Sequence, residues 1–145
     1  MGKLPPSFPL RDTLCAIAIL ATLSAFALPG FANVERASRQ AALDNLTLAM
    51  RNSAALVHAV WVATGADSDT VVLEGKTIKV NANGYPVNGT ALRSALQTDP
   101  VGNGYVLSGN GFAPAEVAHP SACTASYDPS VSPPLIFSPA VLDCQ

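Results

Sequence analysis

From Thr13 to Val34 the chain carries no charged side chain, and it then passes into residues patterned as an amphipathic helix. A helix of about 22 residues is about 33 Å long, close to the hydrocarbon core of a bilayer. Lys3 and Arg11 precede the run, which predicts a cytoplasmic N-terminus and export of the residues after Val34. Beyond Asn33, Leu43, Leu46, Met50, Ala54, Val57 and Trp61 trace one face of a helix. Glu35, Arg36, Arg39, Asp44 and Arg51 lie among them, and only Pro29-Gly30 separates the two patterns. Read as one element, residues 8–64 predict a rod of about 85 Å. A lone small domain has no use for such a rod. An assembly in which the apolar halves of many rods bury one another does.

A secretory signal peptide is the competing reading. It needs a basic start, an apolar stretch and a small-x-small cleavage site, and Ala25-Phe26-Ala27 or Gly30-Phe31-Ala32 would serve. Two features weigh against it. Asp12 stands at the mouth of the run, and the helical pattern continues past both sites. Pro29 removes a backbone hydrogen bond and predicts a kink, and Gly30 weakens the same turn.

The 145 residues suffice for one domain. With 49% hydrophobic and 12% charged residues the chain is too apolar for intrinsic disorder. A formal net charge of −2 leaves no basic patch for nucleic acid. Two histidines and three cysteines argue against a dense metal site, and no cofactor motif is present. No Ser/His/Asp or Cys/His set stands at a recognisable spacing, so no catalytic residue is assigned and no enzyme is expected.

Most prolines and glycines fall after residue 64, which predicts short elements joined by turns. Thr70–Glu74 and Thr77–Val80 are β-branched runs that read as a hairpin around Gly75-Lys76. Asn81–Pro86 is turn chemistry, and Thr90–Gln97 predicts a short helix capped by Asn88 or Thr90. Gly104–Ser108, Ala122–Tyr127 and Leu135–Ser138 are further strand candidates. The stem must cover their apolar face, with Val57, Val60 and Trp61 the expected contacts. Cys123 and Cys144 lie in the exported part and predict a disulfide; Cys15, inside the apolar run, reads as a small packing residue.

The segment Phe8-Pro-Leu-Arg-Asp-Thr-Leu-Cys-Ala-Ile-Ala-Ile-Leu-Ala-Thr-Leu-Ser-Ala-Phe-Ala-Leu-Pro-Gly-Phe31 resembles a type IV prepilin N-terminus. Asn52-Ser-Ala-Ala-Leu-Val-His-Ala-Val-Trp61, Val72-Leu-Glu-Gly75, Asn83-Gly-Tyr-Pro86 and the late cysteines are similar to pilins of the mannose-sensitive haemagglutinin (MSHA) pilus. The resemblance implies an α+β, pilin-like fold. A long N-terminal helix, with an apolar transmembrane half and an amphipathic half, would pack on a small antiparallel sheet. The implied divisions are a leader at 1–7, a transmembrane and assembly helix at 8–32, an amphipathic stem at 33–64 and a β-rich head at 65–145 with a C-terminal disulfide loop.

The resemblance also implies a mechanism. A prepilin peptidase would cut between Ser7 and Phe8 and methylate the new amine. The Asp12 carboxylate would pair with that amine on a neighbouring subunit, since a carboxylate at membrane depth needs a partner. The segment around Pro29 would bend and melt as the filament packs. Ser7 stands where the family has Gly, and Asp12 where it has Glu. The implied partners are further copies or other pilins, the peptidase, the inner membrane before assembly and a surface receptor met through the head. The implied role is adhesion from a cell-surface pilus. A type II secretion pseudopilin and a secreted binding domain are the alternatives.

The remaining candidates are weaker. His58 reads as a packed residue of the stem, and His119 has no obvious partner. Asp67 and Asp69 are too few for a convincing calcium loop, and no metal is assigned. Asn45-Leu-Thr and Asn88-Gly-Thr fit the short glycosylation pattern.

Overall fold

The computed structural model of the chain describes residues 10–139. Its first element is a helix, α1, over Leu10–Ala63. Residues up to Ser38 form one compact unit and those from Arg39 onward a second.

In the first unit the backbone stays helical across Pro29 and Gly30. Leu14, Ile17 and Ile19 are all exposed there. The apolar transmembrane half expected of this helix is not found: among the described residues no helix is long and apolar enough to cross a membrane.

In the second unit α1 buries one stripe. Leu43, Met50 and Val57 are fully buried and Ala54 nearly so. These positions recur at helical spacing, so they share one face. Burying a side chain the size of Leu43 or Met50 contributes about 1.5–3 kcal/mol. Thr47 lies in the same stripe and is also buried, its hydroxyl donating to the Leu43 carbonyl at 2.8 Å. The backbone thus satisfies the polar atom without an outside partner.

The expected single small sheet is also corrected. Among the described residues there are three separate two-stranded sheets, each an antiparallel hairpin. Strands β1 (Thr70–Leu73) and β2 (Lys76–Lys79) pair with Leu73 opposite Lys76. Strands β3 (Tyr105–Ser108) and β4 (Gly111–Pro114) pair with Ser108 opposite Gly111. Strands β5 (Ser126–Asp128) and β6 (Leu135–Phe137) pair with Tyr127 opposite Ile136. The strands are three or four residues long and several end at or near proline, which has no N–H to extend a ladder. One bridge links two hairpins: Phe112 and Ala125 exchange hydrogen bonds of 3.0 and 2.8 Å. Gly111 permits that approach, because a Cβ there would lie 2.2 Å from the Ala125 carbonyl oxygen.

A short helix, α2 (Gly89–Ala95), follows β2, and Asn88 caps it by accepting from the Ala91 N–H at 2.8 Å. Two single 3₁₀ turns, Pro100–Gly102 and Pro120–Cys123, precede β3 and β5.

The core has two parts. One joins Leu43, Met50 and Ala54 to Leu92, Phe112, Tyr127 and Ile136. The other joins Val57 to Val71, Ile78 and Val80, with Val60 and Trp61 packed against it. Arg51 fastens the stem to the last hairpin by donating to the Ile136 carbonyl at 2.7 Å.

Candidate functional site

The loop after β2 is folded by its own polar groups. The Asn81 side-chain oxygen accepts from the backbone N–H groups of Asn83 and Tyr85 at 3.0 and 3.1 Å. The Asn81 N–H in turn donates to the Tyr85 carbonyl at 2.7 Å. This turn lays the Tyr85 ring on the stem. His58 and Tyr85 stack with centroids 4.4 Å apart and planes 7° from parallel. Trp61 lies on from His58 at 5.9 Å, and its indole N–H donates to the Ser68 carbonyl at 2.7 Å. His58 Nδ1 is 2.8 Å from the Asn83 carbonyl oxygen. A carbonyl only accepts, so this contact assigns the proton to Nδ1.

The last hairpin closes over the same loop. The Tyr127 hydroxyl donates to the buried Pro86 carbonyl at 2.7 Å, and Asn81 Nδ2 donates to the Pro129 carbonyl at 3.1 Å. Burial raises the Tyr127 hydroxyl pKa well above the usual tyrosine value, with Tyr85 adding to the effect.

A groove of about 530 Å³ opens between the stem and the head. Ala42, Leu46, Ala49, Ser53 and Leu56 form its stem wall, and Leu73, Leu96 and Tyr105 face them. The stem residues fall at helical spacing on a face beside the buried stripe. Asn45, Asn52, Gln97 and Asn103 add amides, and Glu74 is the charged residue of the lining. An ion pair holds the head side: Arg93 Nε donates to Asp99 Oδ1 at 2.7 Å and Nη2 to the other oxygen. That guanidinium holds the Asp99 carboxyl below the usual carboxylate range. Aliphatic walls with amides suit an apolar or amide-bearing surface.

Of the residues assigned from sequence, Ser7, Phe8 and Cys144 lie outside the described residues. Asp12 and Pro29 lie within α1. Cys123 is fully buried and disulfide-bonded, whereas Cys15 is exposed and free. Asp67 and Asp69 are exposed, and among the described residues no group of three or more His, Cys, Asp or Glu could hold a metal ion. The Asn88 side chain is engaged as a helix cap, and the Thr47 of the other glycosylation pattern is buried.

Sequence reasoning placed His58 on the stem but missed the stack around it. The signal was present in Asn81-Ala-Asn-Gly-Tyr-Pro86, whose asparagine initiates the turn that carries Tyr85 inward. The groove left no such signal, because its two walls lie far apart in the chain.

Set against protein-family models, curated proteins and solved structures, the chain gives no significant match.

Proposed function

We propose that this chain is a structural subunit of a type IV pilus of the MSHA kind, polymerising through its N-terminal helix for surface adhesion. The observation that carries this reading is the exposure of Leu14, Ile17 and Ile19, each near 60%. Apolar side chains this exposed on one helix lose little by being buried against other copies, and gain the hydrophobic free energy of burial. The prepilin-like segment from Phe8 to Phe31 supplies the second support. On this reading a prepilin peptidase cuts before Phe8, Asp12 pairs with the new amine of a neighbour, and the filament presents the head at the cell surface.

N-terminal sequencing of the protein recovered from cells tests this. A start at Phe8 together with filaments in shear fractions is the expected result. A start at Leu28 or Asn33 overturns the pilus reading.

One observation favours a second reading. Residues from Arg39 onward form a compact unit of their own, with the groove inside it. A secreted binding domain released by a signal peptidase would need no more than that unit. The same sequencing experiment separates the two.

A further inference from the structure

The chain contains four Asn-Gly pairs: Asn83-Gly84, Asn88-Gly89, Asn103-Gly104 and Asn110-Gly111. Such pairs are chemically labile. The glycine N–H nitrogen attacks the asparagine side-chain carbonyl carbon, the amide nitrogen leaves as ammonia with the backbone proton, and a succinimide closes. Water then opens either carbonyl, giving aspartate or isoaspartate; the net change is one water consumed and one ammonia released. The reaction needs the glycine nitrogen free to swing towards the side chain, so a fold that holds this nitrogen suppresses it.

Three of the four pairs are held. The Gly84 N–H donates to the Asn81 carbonyl at 2.9 Å, and the Trp61 indole occupies the space a Gly84 side chain would need. The Gly89 N–H, at the start of α2, points to Asn110 Oδ1 at 3.4 Å, while the Asn88 side-chain oxygen is engaged with Ala91. Gly111 is paired with Ser108 in the hairpin and lies against the Ala125 backbone.

The fourth pair is open. Asn103 and Gly104 are both exposed, and nothing lies within 4 Å of where a Gly104 side chain would begin. Among the described residues the Gly104 N–H makes no backbone hydrogen bond, although the Gly104 carbonyl accepts from Ala115 at 2.9 Å. The Asn103 amide donates to the Asp99 carbonyl at 2.7 Å, a single exposed bond that local opening breaks readily.

We propose that Asn103 is a site of spontaneous deamidation in the folded protein, and that the reaction places a new carboxylate at the rim of the groove. Asn103 lines that groove, and its backbone runs directly into β3. Conversion removes the donor to the Asp99 carbonyl and sets a second acid beside the Arg93–Asp99 pair. The isoaspartate form also adds a methylene to the backbone just before Tyr105, the first residue paired with Pro114.

The test is a time course of the intact folded chain at mildly alkaline pH, followed by peptide mapping that separates Asn, Asp and isoAsp at each pair. Asn103 should convert about tenfold faster than Asn83, Asn88 and Asn110, a difference of about 1.4 kcal/mol in barrier. In concentrated urea the four rates should draw together, because only the fold distinguishes the pairs. Asn103→Gln should abolish the fast phase of isoaspartate formation in the folded chain. Another pair leading in the folded state, or an equally wide spread of rates with and without urea, overturns the proposal.

Discussion

A Cβ on Gly84 would stand 2.3 Å from Cε3 of Trp61, so the loop after β2 is seated against the stem indole with no room for a side chain. Gly84 also has φ +75°, a region that disfavours any residue with a Cβ. Gly84→Ala should therefore lose about 2–4 kcal/mol, from backbone strain and overpacking together. Urea unfolding measures it. In a Trp61→Leu background the same substitution should cost less, because only the backbone part remains. An equal cost in both backgrounds would show that the indole is not what Gly84 meets.

Tyr127 should make stability fall at high pH. Its folded pKa is raised by burial, so the folded state keeps the hydroxyl proton longer than the unfolded chain. The contribution is complete below the ordinary tyrosine pKa of about 10 and is lost as pH rises above it. Tyr127→Phe removes the hydrogen bond to the Pro86 carbonyl and should cost about 1–3 kcal/mol at neutral pH. The variant should also lose stability less steeply above that pH. Parallel slopes for parent and variant in alkaline urea titrations would count against this role.

Cys123 should be bonded to Cys144. The first is buried among Phe112, Ala125 and Tyr127, and its sulfur is not a free thiol. Cys144→Ser should cost about 2–5 kcal/mol, chiefly by releasing a loop in the unfolded chain. Mass spectrometry of a non-reduced digest identifies the pair. Free thiols at both positions in protein from the cell envelope would sink the assignment.

On the proposed pilus reading, Asp12 should be needed for filaments and not for the fold of the head. Asp12→Ala should abolish or sharply reduce filaments in cells carrying the assembly machinery, while Asp12→Glu should retain them. Residues from Arg39 onward are compact by themselves, so both variants should keep the parent's urea midpoint for that unit. As much filament from the alanine variant as from the parent refutes the pairing role.

The sequence by itself determined the local elements. Of the face read from Leu43, Leu46, Met50, Ala54, Val57 and Trp61, the structure buries Leu43, Met50, Ala54 and Val57 and leaves Leu46 and Trp61 half-buried, because a 3.6-residue repeat returns these side chains to roughly one side. The β-branched runs around Gly75 fixed the first hairpin to within a residue or two, and the start of α2 was narrowed to Asn88 or Thr90, of which the structure uses Asn88. It did not determine β4, since Gly111 and Pro114 are poor strand residues, acceptable only because Gly111 meets the Ala125 backbone. Nor did it reveal that Thr47 belongs to the buried stripe, because its hydroxyl is satisfied within the helix.

Only the tertiary structure decided the rest. It replaced one sheet with three hairpins, since each short ladder closes on itself and joins its neighbours mainly through side chains. It brought Tyr85 onto His58 and Arg51 onto Ile136, pairings between residues far apart in the chain that no local pattern encodes. The groove arises the same way, because a concave surface exists only once the stem and the loop after α2 face each other. Propensity and periodicity act within a few residues, whereas these contacts depend on which distant surfaces exclude water together.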